Sequence, residues 1–332
     1  MKGKDLNGEQ DMKQYTIRRL LIMIPILLGV SIIVFFLISS IPGDAISARL
    51  GQSKLSTQKI AEIKAMYGFD QPTWKRYLSW LGGALQGNFG FSFQYNLPVA
   101  DVIHSFIWNS FLLALVSFIL ELAIAIPIGV LSATKVHSAF DVVFTVIAFA
   151  GISLPSFFLA LLLQKIFAVD LGWMPLEGMK SVGVAMTGWQ YIGDVAKHMV
   201  LPVISLTMMS MGSTMRYVRT SMLDVIHQDY IRTAKSKGLP ERVVIYKHAL
   251  RNASIPIITY VGGALPSLFS GAMITETMFS WPGIGNVFLT SITQRDYMFM
   301  MGYIMLLALL TMLGNLLSDI FYSIADPRIR LK

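Results

Sequence analysis

The sequence predicts an all-α polytopic membrane protein with six transmembrane helices, and three observations point to it. Hydrophobic residues make up 54% and charged residues 14% of the 332 positions, with a mean hydropathy of +0.60; this is too apolar for a water-soluble domain. The apolar residues gather into runs of roughly 20, which at about 1.5 Å per residue cross a hydrocarbon core of about 30 Å. The basic residues lie beside those runs, so the net charge of +8 reads as membrane orientation, with contact to membrane lipid, and argues against nucleic acid as a partner.

Residues 1–16 form a polar tail. Arg18 and Arg19 precede an uncharged run from Leu20 to Ile41, so 17–41 is assigned as the first span; the run is longer than the apolar core of a cleaved signal and has no A-x-A exit. Residues 42–106 are too polar to span and too rich in Leu, Trp, Tyr and Phe for a disordered linker, which predicts a folded insertion at one membrane face. Within it, Ser56–Tyr67 has a Ser/Thr start and helical apolar spacing at Ile60, Ile63 and Met66, the pattern of a short amphipathic helix. Residues 107–332 hold five further apolar runs, at about 107–134, 142–165, 199–215, 253–275 and 298–322. Pro127, Pro155, Pro202, Pro256 and Pro266 fall within them, and bundle packing accounts for such residues, because neighbouring helices satisfy the freed backbone groups.

An even number of spans puts both termini on one side. Of the 27 Lys and Arg, 17 lie in residues 1–19, the 135–141 loop, the 216–252 segment and the C-terminus. That excess predicts cytoplasmic termini, with the 42–106 insertion and the 166–198 and 276–297 loops outside.

Between the fourth and fifth spans lies a basic island, 219–252. Leu223, Ile226, Tyr230, Ile231 and Ala234 recur at helical spacing with His227, Arg232, Lys235 and Lys237 between them, which reads as an amphipathic helix. Gly238 suits its C-terminal cap and Pro240 the first turn of a second helix. Two short helices meeting at a Gly-x-Pro corner suit a groove in a partner, with apolar anchors setting the fit and basic residues the orientation. A basic helix lying on anionic lipid is the other reading, and the sharp corner favours docking.

Glu121 is a mid-span acid, and an ionisable group in hydrocarbon is a functional candidate by default. It either faces a conduit or packs, hydrogen-bonded, between helices. After the fifth span, Glu276, Phe279, Trp281 and Pro282 mark a turn that reads either as an external gate or as an interfacial aromatic anchor. The five histidines form no metal-ligand spacing, no Ser/His/Asp constellation is recognisable, and no G-x-x-x-x-G-K-[ST] phosphate loop occurs. The chain is therefore not expected to be an enzyme or to carry a cofactor or metal.

Several segments resemble the permease subunits of binding-protein-dependent ABC importers, specifically the oligopeptide and dipeptide permease B subfamily. Arg232, Thr233, Ala234 and Gly238 fall where that family carries its motif EAA, three residues and Gly, the first Glu being commonly replaced in this branch. GFDQPTWKRYLSWL from Gly68, NFGFS from Asn88, SLPSFFLALLL from Ser153, LGWMP from Leu171, SMLDVIHQDYIRTAKSKGL from Ser221, ETMFSWPGIG from Glu276 and ADPRIR from Ala325 are similar to it as well. Met298 stands where the family often has Pro.

The resemblance implies the type I ABC importer permease fold and a heterodimer with a homologous second subunit. It also implies two cytoplasmic ATPase subunits, which carry ATP and Mg, and an extracytoplasmic peptide-binding protein. Asp229, Tyr230, Arg232, Thr233, Ala234, Lys235, Lys237, Gly238 and Leu239 would then form the region coupled to an ATPase. The resemblance leaves nickel, glutathione, an opine or another small solute open as the alternative substrate. A self-sufficient secondary transporter would carry a charge relay or inverted repeats, and neither is visible.

Overall fold

The computed structural model describes residues 2–41, 58–59 and 70–325. In chain order its first helices are α1 (Lys2–Ser39), α2 (Thr73–Ala84), α3 (Val99–Thr134), α4 (Ala139–Ser153), α5 (Ser156–Leu163) and α6 (Trp189–Ile226). There follow α7 (Asp229–Ser236), α8 (Leu250–Ala264), α9 (Met273–Met278), α10 (Ile284–Thr293) and α11 (Tyr297–Ala325). Two-residue strands β1 (Phe91–Ser92) and β2 (Leu97–Pro98) pair antiparallel between α2 and α3. The chain divides into two units, one of residues up to 110 with 269–273 and 282–313, the other of 111–268, 274–281 and 314 onward.

In the first unit, Phe35 and Ile38 of α1 pack with Tyr77 and Trp80 of α2 and with Tyr297, Met300 and Met301 of α11. Ser31 and Tyr77 share a hydroxyl–hydroxyl hydrogen bond of 2.9 Å, which fixes α2 on α1 by a polar pin within an apolar contact. Val99, Val102 and Ile103 at the start of α3 pack with Ile284 and Val287 of α10 and Phe299 and Tyr303 of α11. Asp296, buried, accepts from the Ser92 hydroxyl at 2.5 Å and from the Phe299 N–H. It thus caps α11 as an Asp at a helix start does and ties the hairpin to it. This defines the start of the last helix at Tyr297 without the proline that the resembling family often carries at 298.

In the second unit, α4 and α6 approach closely because glycine replaces side chains at their contact. A Cβ on Gly151 would sit 2.6 Å from the Met208 carbonyl oxygen, and one on Gly212 would sit 2.6 Å from that of Ala148. Gly129 of α3 meets the Met215 carbonyl and Val218 of α6 in the same way. Ala125, Ala148 and Met215 close the contact. Such small-residue seams suit membrane helices, where packing rather than water exclusion drives association.

Among the described residues, four uninterrupted helices are long and apolar enough to cross a membrane, Gln14–Ser39, Val99–Thr134, Trp189–Ile226 and Tyr297–Ile320. The run expected as one span at 142–165 is instead two helices, Ala139–Ser153 and a continuation from Ser156 to Asp170, bent by 105°. Proline disfavours helical conformation in the residue before it, and Leu154 accordingly turns extended (ψ 133°) ahead of Pro155. The bent pair, taken as one, makes a fifth candidate span.

The run expected at 253–275 is composite. A π-helical turn (Val243–Ala249) leads into α8, α8 passes at Ala264 into a 3₁₀ turn (Leu265–Phe269), and the chain breaks at Gly271 with φ +66°. Pro266, wedged against Gly314 of α11, makes α-helix continuation costly there. The second span starts at Val99 rather than 107, because Val99, Val102, Ile103 and Phe106 extend its apolar stripe. The amphipathic helix expected over Ser56–Tyr67 lies outside the described residues, save Gln58 and Lys59, which are helical.

Candidate functional site

The basic island is a corner mounted on its own bundle. α6 ends at Ile226, α7 runs from Asp229, and Gly238 at φ +72° turns the chain into Pro240 and the π-helical turn. That φ is open to glycine at little steric cost. The inward face of α7 is apolar: Ile231 (1% exposed) and Ala234 (6%) pack with Val218 and Met222 of α6, Val244 and Ala249 of the turn, and Ala253 and Ile257 of α8. Val130 and Ala133 of α3 complete this cluster. A two-turn helix is marginal by itself, so this burial is what holds it.

The outward face of α7 is the solvated one. Asp229, Tyr230, Arg232, Thr233, Lys235, Lys237, Gly238 and Leu239 are all exposed, with Arg232 and Asp229 3.9 Å apart as a loose surface pair. Of the residues expected to meet a partner, Ala234 faces the other way, as does Ile231 of the expected apolar stripe; they seat the helix on its own chain. The outward apolar anchors are Tyr230 and Leu239, joined from the following turn by Tyr246.

Glu121 is buried (5% exposed) in α3 and accepts a hydrogen bond from the Thr214 hydroxyl of α6. Thr214 Oγ1 lies 2.8 Å from the hydroxyl of Tyr260 in α8, and Tyr217 stacks on Tyr260 with centroids 5.2 Å apart. Glu121 thus joins a hydrogen-bonded contact between α3 and α6 within the chain.

The turn after the fifth apolar run is internal. Glu276 is fully buried, Phe279 packs with Leu159, Leu163 and Leu201, and Trp281 packs with Leu113, Val195 and Met199. Gln164 Nε2 donates to the carbonyls of Leu176 (3.0 Å) and Met278 (2.8 Å), and the Gly178 N–H donates to that of Phe279 (2.8 Å). In the first unit, Asn109 Nδ2 donates to the Pro282 carbonyl at 2.8 Å. Phe279 and Trp281 therefore pack this turn against its own chain, Glu276 is buried beside them, and Ser280 is exposed.

One charged pair has no signature in the sequence. Arg219 of α6 binds Asp141 at the start of α4 through Nε (2.9 Å) and Nη2 (3.0 Å), and Asp141 also accepts from the His137 N–H. Both residues lie at polar edges of apolar runs, 78 positions apart, and no local pattern pairs them. Among the described residues no group of three or more His, Cys, Asp or Glu is placed to hold a metal ion.

Residues 125–331 match the family described as binding-protein-dependent transport system inner membrane component, and residues 12–114 match the N-terminal part of such membrane components. The chain is 41% identical over 319 residues to the oligopeptide transport system permease protein AppB of Bacillus subtilis, covering 96% of this chain and 99% of that protein. It is 38% identical over 333 residues to the dipeptide transport system permease protein DppB of Alkalihalophilus pseudofirmus, covering 96% and 100%. To the protein of the same name in Escherichia coli K12 it is 35% identical over 338 residues, covering 97% and 100%.

Proposed function

Because this chain belongs to the family of binding-protein-dependent transport system inner membrane components, we propose that it forms, with a homologous second permease subunit, the membrane path of an ATP-driven importer of di- and oligopeptides. A peptide-binding protein delivers the substrate outside. Two cytoplasmic ATPases bind ATP and Mg, since the chain has no phosphate loop of its own. Both termini, with residues 1–16 and the 219–252 coupling region, are cytoplasmic, and the 42–106 insertion is extracytoplasmic.

The observation that carries this reading is the mounting of α7. Its inner face is locked into a cluster drawn from α3, α6 and α8, while its outer face presents Tyr230, Arg232, Lys235, Lys237 and Leu239 at a glycine corner. A rigidly seated, basic, aromatic-tipped protrusion is a shape that fits a groove in a partner, and displacement of the protrusion would carry both flanking helices with it. ATP-driven closure of the ATPases would thereby reorient the membrane helices in alternating access. The peptide class is supported by the relatives above, which are oligopeptide and dipeptide transport system permease proteins.

The test is affinity purification of the tagged subunit from its native membrane, followed by ATPase assay with the binding protein and peptide. Copurification of an ABC ATPase and peptide-stimulated hydrolysis are expected. Recovery of the subunit without any ATPase would overturn the reading, and stimulation by a non-peptide solute alone would reassign the substrate.

A further inference from the structure

We infer that Glu121 is a positioning residue for transport: the hydrogen-bonded chain Tyr260–Thr214–Glu121 sets the register in which α6 and α8 transmit movement of the coupling corner to the membrane path. The inference rests on the function proposed above and adds a role to residues outside the docking face.

Thr214 has one hydroxyl proton, and it goes to the Glu121 carboxyl oxygen; the Tyr260 hydroxyl is therefore the donor in its 2.8 Å contact with Thr214 Oγ1. The donors thus run Tyr260 to Thr214 to Glu121, from α8 through α6 to α3, and end on an acceptor without leaving a proton unmatched. Glu121 and Thr214 are buried.

The placement is what gives the chain a mechanical meaning. α6 and α8 are the two helices that flank the corner. Thr214 lies twelve residues before the end of α6 at Ile226, and Tyr260 eleven residues after the π-helical turn ends at Ala249. At about 1.5 Å per residue they lie roughly 16–18 Å along the helices from Ile226 and Ala249, the ends that face the corner. The same three helices are joined nearer the corner by Val130, Ala133, Val218, Met222, Ala253 and Ile257. The aliphatic cluster seats the helices without any directional bond, and the hydrogen-bonded chain adds a directional contact that specifies one register. Tyr217 reinforces it by donating to the Pro256 carbonyl of α8 at 3.3 Å while stacking on Tyr260. The corner is thereby attached to a block pinned at two levels, one apolar and one polar.

The experiment uses the full importer in proteoliposomes and reads ATP hydrolysed per peptide transported, alongside the thermal midpoint of the complex. Thr214→Val and Glu121→Leu, close in volume and unable to pair, are expected to raise that ratio by about tenfold. Thr214→Ser and Glu121→Gln, which keep a hydroxyl donor and a carbonyl acceptor, are expected to hold it near wild type. A lowered thermal midpoint with an unchanged ratio in Thr214→Val would overturn the inference, because that is what a purely structural bond would give. Glu121→Gln behaving like Glu121→Leu would overturn it as well, since the charge rather than the bond would then matter. A wild-type complex that hydrolyses ATP without regard to binding protein would sink the proposed function and this inference together, so the two failures are distinguishable.

Discussion

At Gly238 one residue decides whether the exposed face is a docking face. Its φ of +72° penalises any side chain, by about 1–2 kcal/mol in the left-handed region, yet a Cβ there meets no heavy atom within 4 Å. The Cβ position is open space in the subunit itself, so under the proposed docking added bulk there would fall on the partner's side. Gly238→Trp is expected to leave the subunit in the membrane fraction at near-normal amount and to cut binding-protein-dependent ATP hydrolysis by more than about tenfold. Gly238→Asn supplies the control, because Asn tolerates positive φ and adds little bulk; it should retain most of the activity. Equal loss in both variants would show the backbone turn, and not the contact, to be at fault.

Asp141 and Arg219 are the second case at this scale. The Asp141 side chain is 6% exposed and the Arg219 side chain 27%, so removing the arginine strands a buried carboxylate. Arg219→Ala is expected to destabilise by about 3 kcal/mol, the lower end for a broken buried pair. Asp141→Asn in the same chain should recover part of that loss, because the residues share one interaction. Thermal unfolding midpoints of detergent-purified Arg219→Ala, Asp141→Asn and the double variant measure it, and strictly additive losses would contradict the pairing.

Helix by helix, the seam between α4 and α6 depends on glycine. Gly151→Ala and Gly212→Ala each push a methyl to within 2.6 Å of a backbone oxygen that cannot swing aside, so the helices must separate, at roughly 1–3 kcal/mol each. Gly193→Ala in the same α6 meets nothing within 4 Å and should leave the midpoint unchanged. This scale also shows where the sequence was legible. The runs that became α1, α3, α6 and α11 were visible because unbroken apolarity of sufficient length has few other uses. The bend at Leu154–Pro155 was hidden in the run 142–165, since hydropathy records side chains and not chain direction. The same holds at 265–271, where proline and glycine end the helix inside an apolar stretch. The outward residues of α7 were legible from period and charge, whereas the inward placement of Ala234 depends on packing partners in α6 and α8. Glu121 stood out as an acid in hydrocarbon, but Thr214 and Tyr260, each an ordinary span residue far along the chain, could not be assigned to it.

For the whole molecule the orientation carries the function, because a coupling corner on the wrong side would meet no ATPase. The chain has no cysteine, so single introduced thiols report sidedness without background. Val182, 96% exposed, lies in the 166–198 loop assigned outside, and Lys237, exposed beside Gly238, lies in the island assigned to the cytoplasm. In intact cells, or spheroplasts if an outer membrane intervenes, a membrane-impermeant maleimide is expected to label Val182→Cys. It should label Lys237→Cys only after the membrane is permeabilised. The excess of Lys and Arg at the tail, the island and the C-terminus supports that sign, since cationic loops are retained on the cytoplasmic side. ATP and the corner must share one compartment for hydrolysis to move α7. Labelling of Lys237→Cys in sealed cells would therefore invert the topology and remove the physical basis for coupling, whatever the similarity to peptide permeases.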